Sequence, residues 1–422
     1  MRTANRIVLM FLLIGTLSSG FIIQRVRAEP RTLIVDDDGP ADYHTIQEAI
    51  DNSYEGDTIF VRSGLYSEHI SVPWAVDLRI CGEDRSSTII DGNWSGAIVT
   101  ILGGSNVTFA HFTVRNAGWT SWEDDNGIRL KWSNSTLVTD CTVTGCAFGI
   151  REWSEFWAPH GAMIGHWNVI SGNTVSDCSQ IAIGSTHDSS LDHVIANNTI
   201  TNSSNQGIYF NNPYNMQIIG NHVLGTESQS IPCGIHLQVG PEGGGSNNTI
   251  TGNSIEYCEN GIGLDYADNN VVKENTVENC SCGVYLGSGS SGNIVYHNNF
   301  IGNAFVSDAG SNFWDNGCEG NYWSDYAGTD LDKDGVGDTE LPWSGVDYYP
   351  LMNRYWNGAD INHDLKVDVK DVYAVGRAYG TSATGPNPEG REWNPHCDIN
   401  EDGKIDMKDY YPVCKNYGKT CY

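Results

Sequence analysis

The stretch Gly261-Ile-Gly-Leu-Asp-Tyr-Ala-Asp-Asn-Asn-Val-Val-Lys-Glu-Asn275 decides the fold, because both of its elements return along the chain. The first is a Gly-Ile-x-apolar strand, found again as Gly127-Ile-Arg-Leu130, Gly207-Ile-Tyr-Phe210, Gly234-Ile-His-Leu237 and Gly283-Val-Tyr-Leu286. The second is an Asn-x-Ile/Val strand closed by another Asn, as in Asn168-Val-Ile-Ser-Gly-Asn173 and Asn293-Ile-Val-Tyr-His-Asn298. With Gly149 and Ala182 as further steps, the first element recurs at intervals of 22, 33, 25, 27, 27 and 22 residues. That period is too short for a domain and too polar for a helical solenoid, and the intervening Asn and Gly tolerate positive φ. Such short strands are buried only when coil stacks on coil, each strand pairing with its equivalent one turn on. The repeat predicts an all-β parallel β-helix of on the order of ten coils, each adding about 4.8 Å.

Outward from the repeat, residues 42–51 place Ile46, Ala49 and Ile50 on one helical face, a helix suited to cap the open N-terminal end. Residues 56–61 are expected as the first strand. Residues 32–305 resemble the right-handed parallel β-helices of the pectin-lyase-like superfamily. The resemblance implies that fold but no single chemistry, since lyases, hydrolases, epimerases and non-enzymes share it. Next comes Asn312-Phe-Trp-Asp-Asn-Gly-Cys-Glu-Gly-Asn-Tyr-Trp-Ser-Asp-Tyr326, then an Asp-rich run, ending at Tyr349-Pro-Leu-Met352. This resembles the C-terminal signature of the copper-maturation β-helix proteins that serve nitrous oxide reductase. It implies a cap over the solenoid's other end.

Two twelve-residue runs follow: Asp360-Ile-Asn-His-Asp-Leu-Lys-Val-Asp-Val-Lys-Asp371 and Asp398-Ile-Asn-Glu-Asp-Gly-Lys-Ile-Asp-Met-Lys-Asp409. Asp360, Asn362, Asp364, Asp368 and Asp371 put side-chain oxygens at loop positions 1, 3, 5, 9 and 12, as do Asp398, Asn400, Asp402, Asp406 and Asp409. With the position-7 carbonyls of Lys366 and Lys404, this is the spacing that wraps a loop around Ca²⁺. Position 6 is Gly403 in the second loop but Leu365 in the first, where the turn prefers glycine. Each loop precedes one short amphipathic segment, 372–379 or 410–417. The duplicated loop-then-helix, with Val367 and Ile405 at position 8, resembles a type I dockerin. That resemblance implies a small α-helical domain folding on two Ca²⁺ and docking to a cohesin-bearing scaffold protein. Positions 10 and 11, Val369, Lys370, Met407 and Lys408, would meet the partner. A calcium-stapled tail with no partner is the plainer alternative. Asp330, Asp332, Asp334 and Asp338 supply positions 1, 3, 5 and 9 of a third, partial loop whose position 12 is Leu341.

The chain thus divides into a signal peptide (1–28), a β-helix with its N-terminal cap (29–311), an aromatic and Asp-rich C-terminal cap (312–356) and the dockerin-like tail (357–422). Arg2 and Arg6 ahead of an apolar run, with Val26-Arg-Ala28 at cleavage spacing, mark a secretory signal. The expected location is extracellular, secreted or attached to a cell surface, with no membrane contact beyond the signal. Losing the signal's four arginines takes the net charge from −29 to −33. So acidic a surface argues against nucleic acid as a partner. Of twelve cysteines, Cys146, Cys178, Cys258 and Cys280 share one column of the repeat, which predicts buried thiols. Cys414 and Cys421 are the better disulfide candidates.

Six of the thirteen tryptophans fall between Trp119 and Trp167, where residues 151–166 interrupt the repeat. Trp119, Trp122, Trp153, Trp157 and His160 are the candidate saccharide-binding groups, since aromatic faces suit the apolar faces of sugar rings. Taken as a ladder, the Gly-Ile strands aim Arg129, Arg151, Tyr209 and His236 outward, with Asp265 in the next column and His187 beside them. A lyase acting on acidic polysaccharide needs cations against the uronate carboxylate, a base for the C5 proton and an acid for the leaving oxygen. Arg129 and Arg151 would neutralise, with His187, His236 or Tyr209 as base or acid. A hydrolase needs two carboxylates instead, for which Glu152, Asp188 and Asp265 are candidates. A non-catalytic carbohydrate-binding or adhesion rod is the main alternative. A copper-delivery role is the second, disfavoured by six Met and no His-x-His.

Overall fold

The computed structural model describes residues 29–119, 125–154, 165–186, 190–225, 230–240, 245–332, 334–356, 358–384, 386–388, 390–400 and 402–420. The proposed signal peptide therefore lies outside the described residues. Short strands dominate, and every pairing between named strands is parallel, each strand with its equivalent in an adjacent coil. The chain is a parallel β-helix of about eleven coils.

Alternation makes the core. One column runs Leu33, Ile59, Ile80, Phe109, Val138, Ile170, Ile195, Ile218, Ile250, Val272 and Val295, all buried. A second runs from Tyr66 through Ile90, Val114, Val143, Val175, Ile200, Val223, Ile255 and Val277 to Phe300 and Trp323. The Gly-Ile strands supply a third, from Ile70 to Val284. Each buried aliphatic side chain contributes about 1.5–3 kcal/mol relative to exposure. The predicted thiol column is interior as well: Cys146, Cys178, Cys258 and Cys280 are buried, and Cys146 pairs in register with Cys178. Cys414 is a free, exposed thiol; Cys421 lies outside the described residues.

The asparagines that punctuate the repeat face inward and hold the corners. Asn173, Asn198, Asn221, Asn253, Asn275, Asn298 and Asn321 form one chain, each side-chain Nδ2 donating to the next Oδ1 at 2.9–3.0 Å. Asn248, Asn270, Asn293 and Asn312 form a second. These amides satisfy buried backbone groups where the strands turn. The first chain ends on Asp347, whose carboxylate accepts from Asn321 N at 2.9 Å and Trp323 Nε1 at 2.7 Å; burial pushes it up to about 6.

Both ends are closed. The helix Ile46–Asp51 buries Ile46, Ala49 and Ile50, as its pattern predicts, with Thr45 capping its start. The solenoid begins one coil earlier than expected, because Thr32–Val35 pairs with Thr58–Val61. The cap also reaches back into the coils, where Ser311–Phe313 and Tyr322–Trp323 extend two ladders. Trp323 stacks on Phe300 at 4.4 Å and on Trp343 at 3.8 Å, plugging that end. Beyond it, the helices Val369–Ala378 and Met407–Asn416 share a small core of Ile361, Val367, Val375, Cys397, Ile405 and Val413. No helix among the described residues is long and apolar enough to cross a membrane.

Candidate functional site

The outward ladder has the register its sequence implied. Arg129, Arg151, Gly184, Tyr209, His236, Gly263 and Tyr285 occupy equivalent positions in successive coils. In the neighbouring outward column Asn211 pairs with Gln238, and Gln238 with Asp265. The two columns converge at mid-rod. His236 Nε2 lies 3.0 Å from Asp265 Oδ2, and the Tyr209 hydroxyl donates to Gln238 Oε1 at 2.7 Å. The Tyr209 and His236 rings meet edge to face at 5.3 Å. Gly263 permits this: a Cβ there would sit 3.2 Å from His236 Cδ2. Burial, with the charge of Asp265, raises the Tyr209 phenol above its usual value; the Asp265 charge, then burial, raises that of Tyr285. An imidazole oriented by a carboxylate between two protonated phenols is acid–base equipment. His236 and Asp265 keep 15% and 25% of their side-chain surface, enough to meet a ligand.

Other expected members are placed differently. Arg151 is 1% exposed, its guanidinium 4.0 Å from the Phe148 ring and 4.5 Å from that of Trp153, with Nη2 donating to Thr186 Oγ1 at 2.7 Å. Trp153 is likewise buried, so neither offers the open face expected of it. Arg129 donates to Thr100 Oγ1 at 3.2 Å. Trp119 is exposed and stacks on Trp94 at 6.2 Å. Trp122, Trp157, His160, His187 and Asp188 lie outside the described residues. Glu152 does not stand on the outward face: it occupies the interior column beside Leu130. There it meets buried His193 Nε2 at 2.7 Å and the Ser190 hydroxyl at 2.9 Å. The signal was present, since Gly149-Ile-Arg-Glu152 puts an acid where the repeat demands an aliphatic residue.

The two tail loops are near copies. Asp360 accepts from Leu365 N at 2.8 Å and Asp364 N at 3.2 Å; Asp398 accepts from Gly403 N at 2.8 Å and Asp402 N at 3.1 Å. Asp371 and Asp409, both fully buried, close capping boxes with Asp368 and Asp406 at the helix starts. Among the described residues, Asp364 Oδ1 is buried without a hydrogen-bond partner. Leu365 takes φ +67° where Gly403 takes +77°. That left-handed geometry costs a side-chain-bearing residue about 1–2 kcal/mol. Leu365→Gly is therefore expected to raise the tail's stability by about 1 kcal/mol in thermal melts with saturating Ca²⁺. In the third loop, Gly335 N donates to Asp330 Oδ2 and Leu331 N to Asp338 Oδ2. Asp332 N-terminally and Asp334 C-terminally frame its turn, Asp334 N donating to Asp332 Oδ1 at 3.3 Å. Val369 and Met407 are exposed, and each stands four residues before an exposed tyrosine, Tyr373 or Tyr411, which loop spacing alone did not single out. Lys370 and Lys408 fold back onto Asp364 and Asp402 at 2.7 and 2.9 Å.

Parallel coils around an aliphatic core, with polar chemistry on outward columns, define a parallel β-helix protein. Within that class the chain belongs to the NosD family, described as periplasmic copper-binding protein, whose model matches residues 50–241 and 242–328. It is 34% identical over 113 residues to the probable ABC transporter binding protein NosD of Pseudomonas aeruginosa. That alignment takes in 25% of this chain and 26% of that protein, so the chain spans about a quarter of its curated relative's length. Among solved structures, the ORF18 protein of Geobacillus virus E2 is similar at a TM-score of 0.51 and 17% identity, over 65% of this chain and 57% of that one. A pectate lyase is similar at a TM-score of 0.49 and 12% identity, over 69% and 81%. These likenesses concern the fold alone.

Proposed function

We propose that the chain is an exported β-helix protein that binds acidic extracellular polysaccharide along the outward face at Tyr209, His236, Asp265 and Tyr285, and acts on it there. The convergence of His236 with Asp265 between two phenols carries this reading. His236 would take the C5 proton of a uronate, held in position by Asp265. A tyrosine phenol would protonate the oxygen leaving C4 as the C4–O bond breaks, while Arg129, four coils away, would meet a more distant sugar of the same polymer. The tail would bind two Ca²⁺, with Asp330, Asp332, Asp334 and Asp338 offering a third site. It would then present the exposed faces of Val369, Tyr373, Met407 and Tyr411 to a cohesin-type partner. Incubation with a panel of acidic polysaccharides tests the chemistry, followed by new reducing ends and by the ultraviolet absorbance of unsaturated uronate. Both signals should rise and fall at least ~100-fold in His236→Ala, the scale of one general acid–base group. Retention on a polysaccharide column without either signal would make the face a binding strip; neither activity nor retention refutes the reading.

A copper-related role is the second reading. The family's description favours it, and so does a cluster of histidines at the far end of the rod.

A further inference from the structure

Four residues from separate parts of the chain meet where the tail joins the solenoid's end. His297 follows the strand Ser291–Tyr296, Glu319 belongs to the cap, His363 sits inside the first tail loop, and His396 lies in the short helix Pro395–Cys397. His297 Nε2 and His396 Nδ1 both contact the Glu319 carboxylate, and His363 Nε2 stands 3.3 Å from Glu319 Oε1. The ligand atoms of Glu319, His363 and His396 all lie within 4.8 Å of one another. Glu319, His297 and His363 are 4%, 7% and 4% exposed. The Tyr355 ring stacks on His297 at 4.1 Å and fixes its imidazole. The cluster borders a cavity of about 490 Å³, also lined by Cys318 and Asp360.

Ion pairing alone fits this cluster poorly. One carboxylate balances one imidazolium, yet three imidazoles crowd it. His363 Nε2 is buried and faces Glu319 Oε1 across 3.3 Å without a well-formed hydrogen bond. Buried polar atoms are seldom left so. Nitrogen and oxygen ligands about 2.0–2.1 Å from a tetrahedral ion stand about 3.4 Å apart, close to the His363–Glu319 separation. Two imidazoles and one carboxylate, with a fourth position open, form a donor set for Zn²⁺ or Cu²⁺, and a poor one for Ca²⁺.

We propose that Glu319, His363 and His396 form a binding site for one divalent transition-metal ion, Zn²⁺ or Cu²⁺, which staples the tail to the end of the rod, with His297 holding the Glu319 carboxylate in place. The site is separate from the tail's Ca²⁺ loops and independent of the polysaccharide reading. Two of its three ligands, His363 and His396, lie beyond the residues that match the NosD model.

Calorimetric titration of the mature protein in saturating Ca²⁺, its exposed thiols alkylated, tests this with Zn²⁺ and Cu²⁺ in turn. One equivalent of either ion is expected to bind, with affinity at least 100-fold weaker in Glu319→Gln and in His396→Ala. His396→Ala removes a ligand outside both Ca²⁺ loops, so its fold and Ca²⁺ stoichiometry should be unchanged. In limited proteolysis, the bound ion should protect the 353–358 connection in the parent and not in the variants. Absence of one-equivalent binding for both ions overturns the proposal, as does unchanged affinity in a folded His396→Ala protein.

Discussion

Chelating calcium is expected to melt both tail helices, Val369–Ala378 and Met407–Asn416, while the solenoid stays folded. Among the described residues, the tail's core has eight buried members, Ala359, Ile361, Val367, Val375, Ala378, Cys397, Ile405 and Val413. A unit of this size with so small a core needs staples. Each loop also gathers four aspartates into one turn, and burial raises the carboxyls of Asp360, Asp371 and Asp398 above the ordinary range. An ion at each loop would remove that repulsion, and at a thousandfold excess over Kd each contributes about 4 kcal/mol. Far-UV circular dichroism should lose the helical signal on chelation and regain it when Ca²⁺ returns. Proteolysis should then release the tail and spare residues 29–352. Retention of both helices without Ca²⁺ would refute the calcium reading.

Asn253→Ala is expected to destabilise the solenoid by about 3 kcal/mol or more. Its Nδ2 donates to Ile218 O at 2.9 Å, Thr251 O at 3.1 Å and Asn275 Oδ1 at 2.9 Å. Its Oδ1 accepts from Asn221 N at 2.8 Å and Asn221 Nδ2 at 3.0 Å. Alanine would strand several of these groups in a closed interior, at about 1–3 kcal/mol each where no water replaces the partner. Urea unfolding should show the loss, while Ser281→Ala, at an exposed position, should stay within about 0.5 kcal/mol of the parent. A loss below 1 kcal/mol would mean the ladder is dispensable.

The solenoid was legible because period-two burial leaves a plain trace: Ile208, Ile235 and Ile262 follow their glycines at each turn and stack in register. Arg129, Tyr209 and His236 followed from the same register, so the outward column could be written down before its geometry was known. What the repeat could not convey was depth. Arg151 occupies an outward position yet is covered, and Glu152 beside it points inward, because side-chain burial depends on what lies across the column. The histidine cluster left no local trace at all. His297, Glu319, His363 and His396 span a hundred residues, and no short spacing joins them; the expectation against a copper role rested on few methionines and on the absence of such spacing. The oxygen spacing of the loops was plain in the sequence, and Leu365 takes at φ +67° the left-handed turn that Gly403 takes in the second loop.

The asparagine chains have a direction. Each amide gives one hydrogen to the next toward the C-terminal end, and both chains stop on a carboxylate: Asn321 on Asp347, Asn312 on Asp308. An ionised carboxylate receives hydrogen bonds but has none to pass on, so no further amide can join the queue. The aligned dipoles point their positive ends at these two acids, which gives the rod an electrical polarity as well as a terminus. Asp347, fully buried, and Asp308 thus act as chain terminators, each taking the last amide hydrogen of its ladder. The molecule has a fixed length written into its hydrogen bonds.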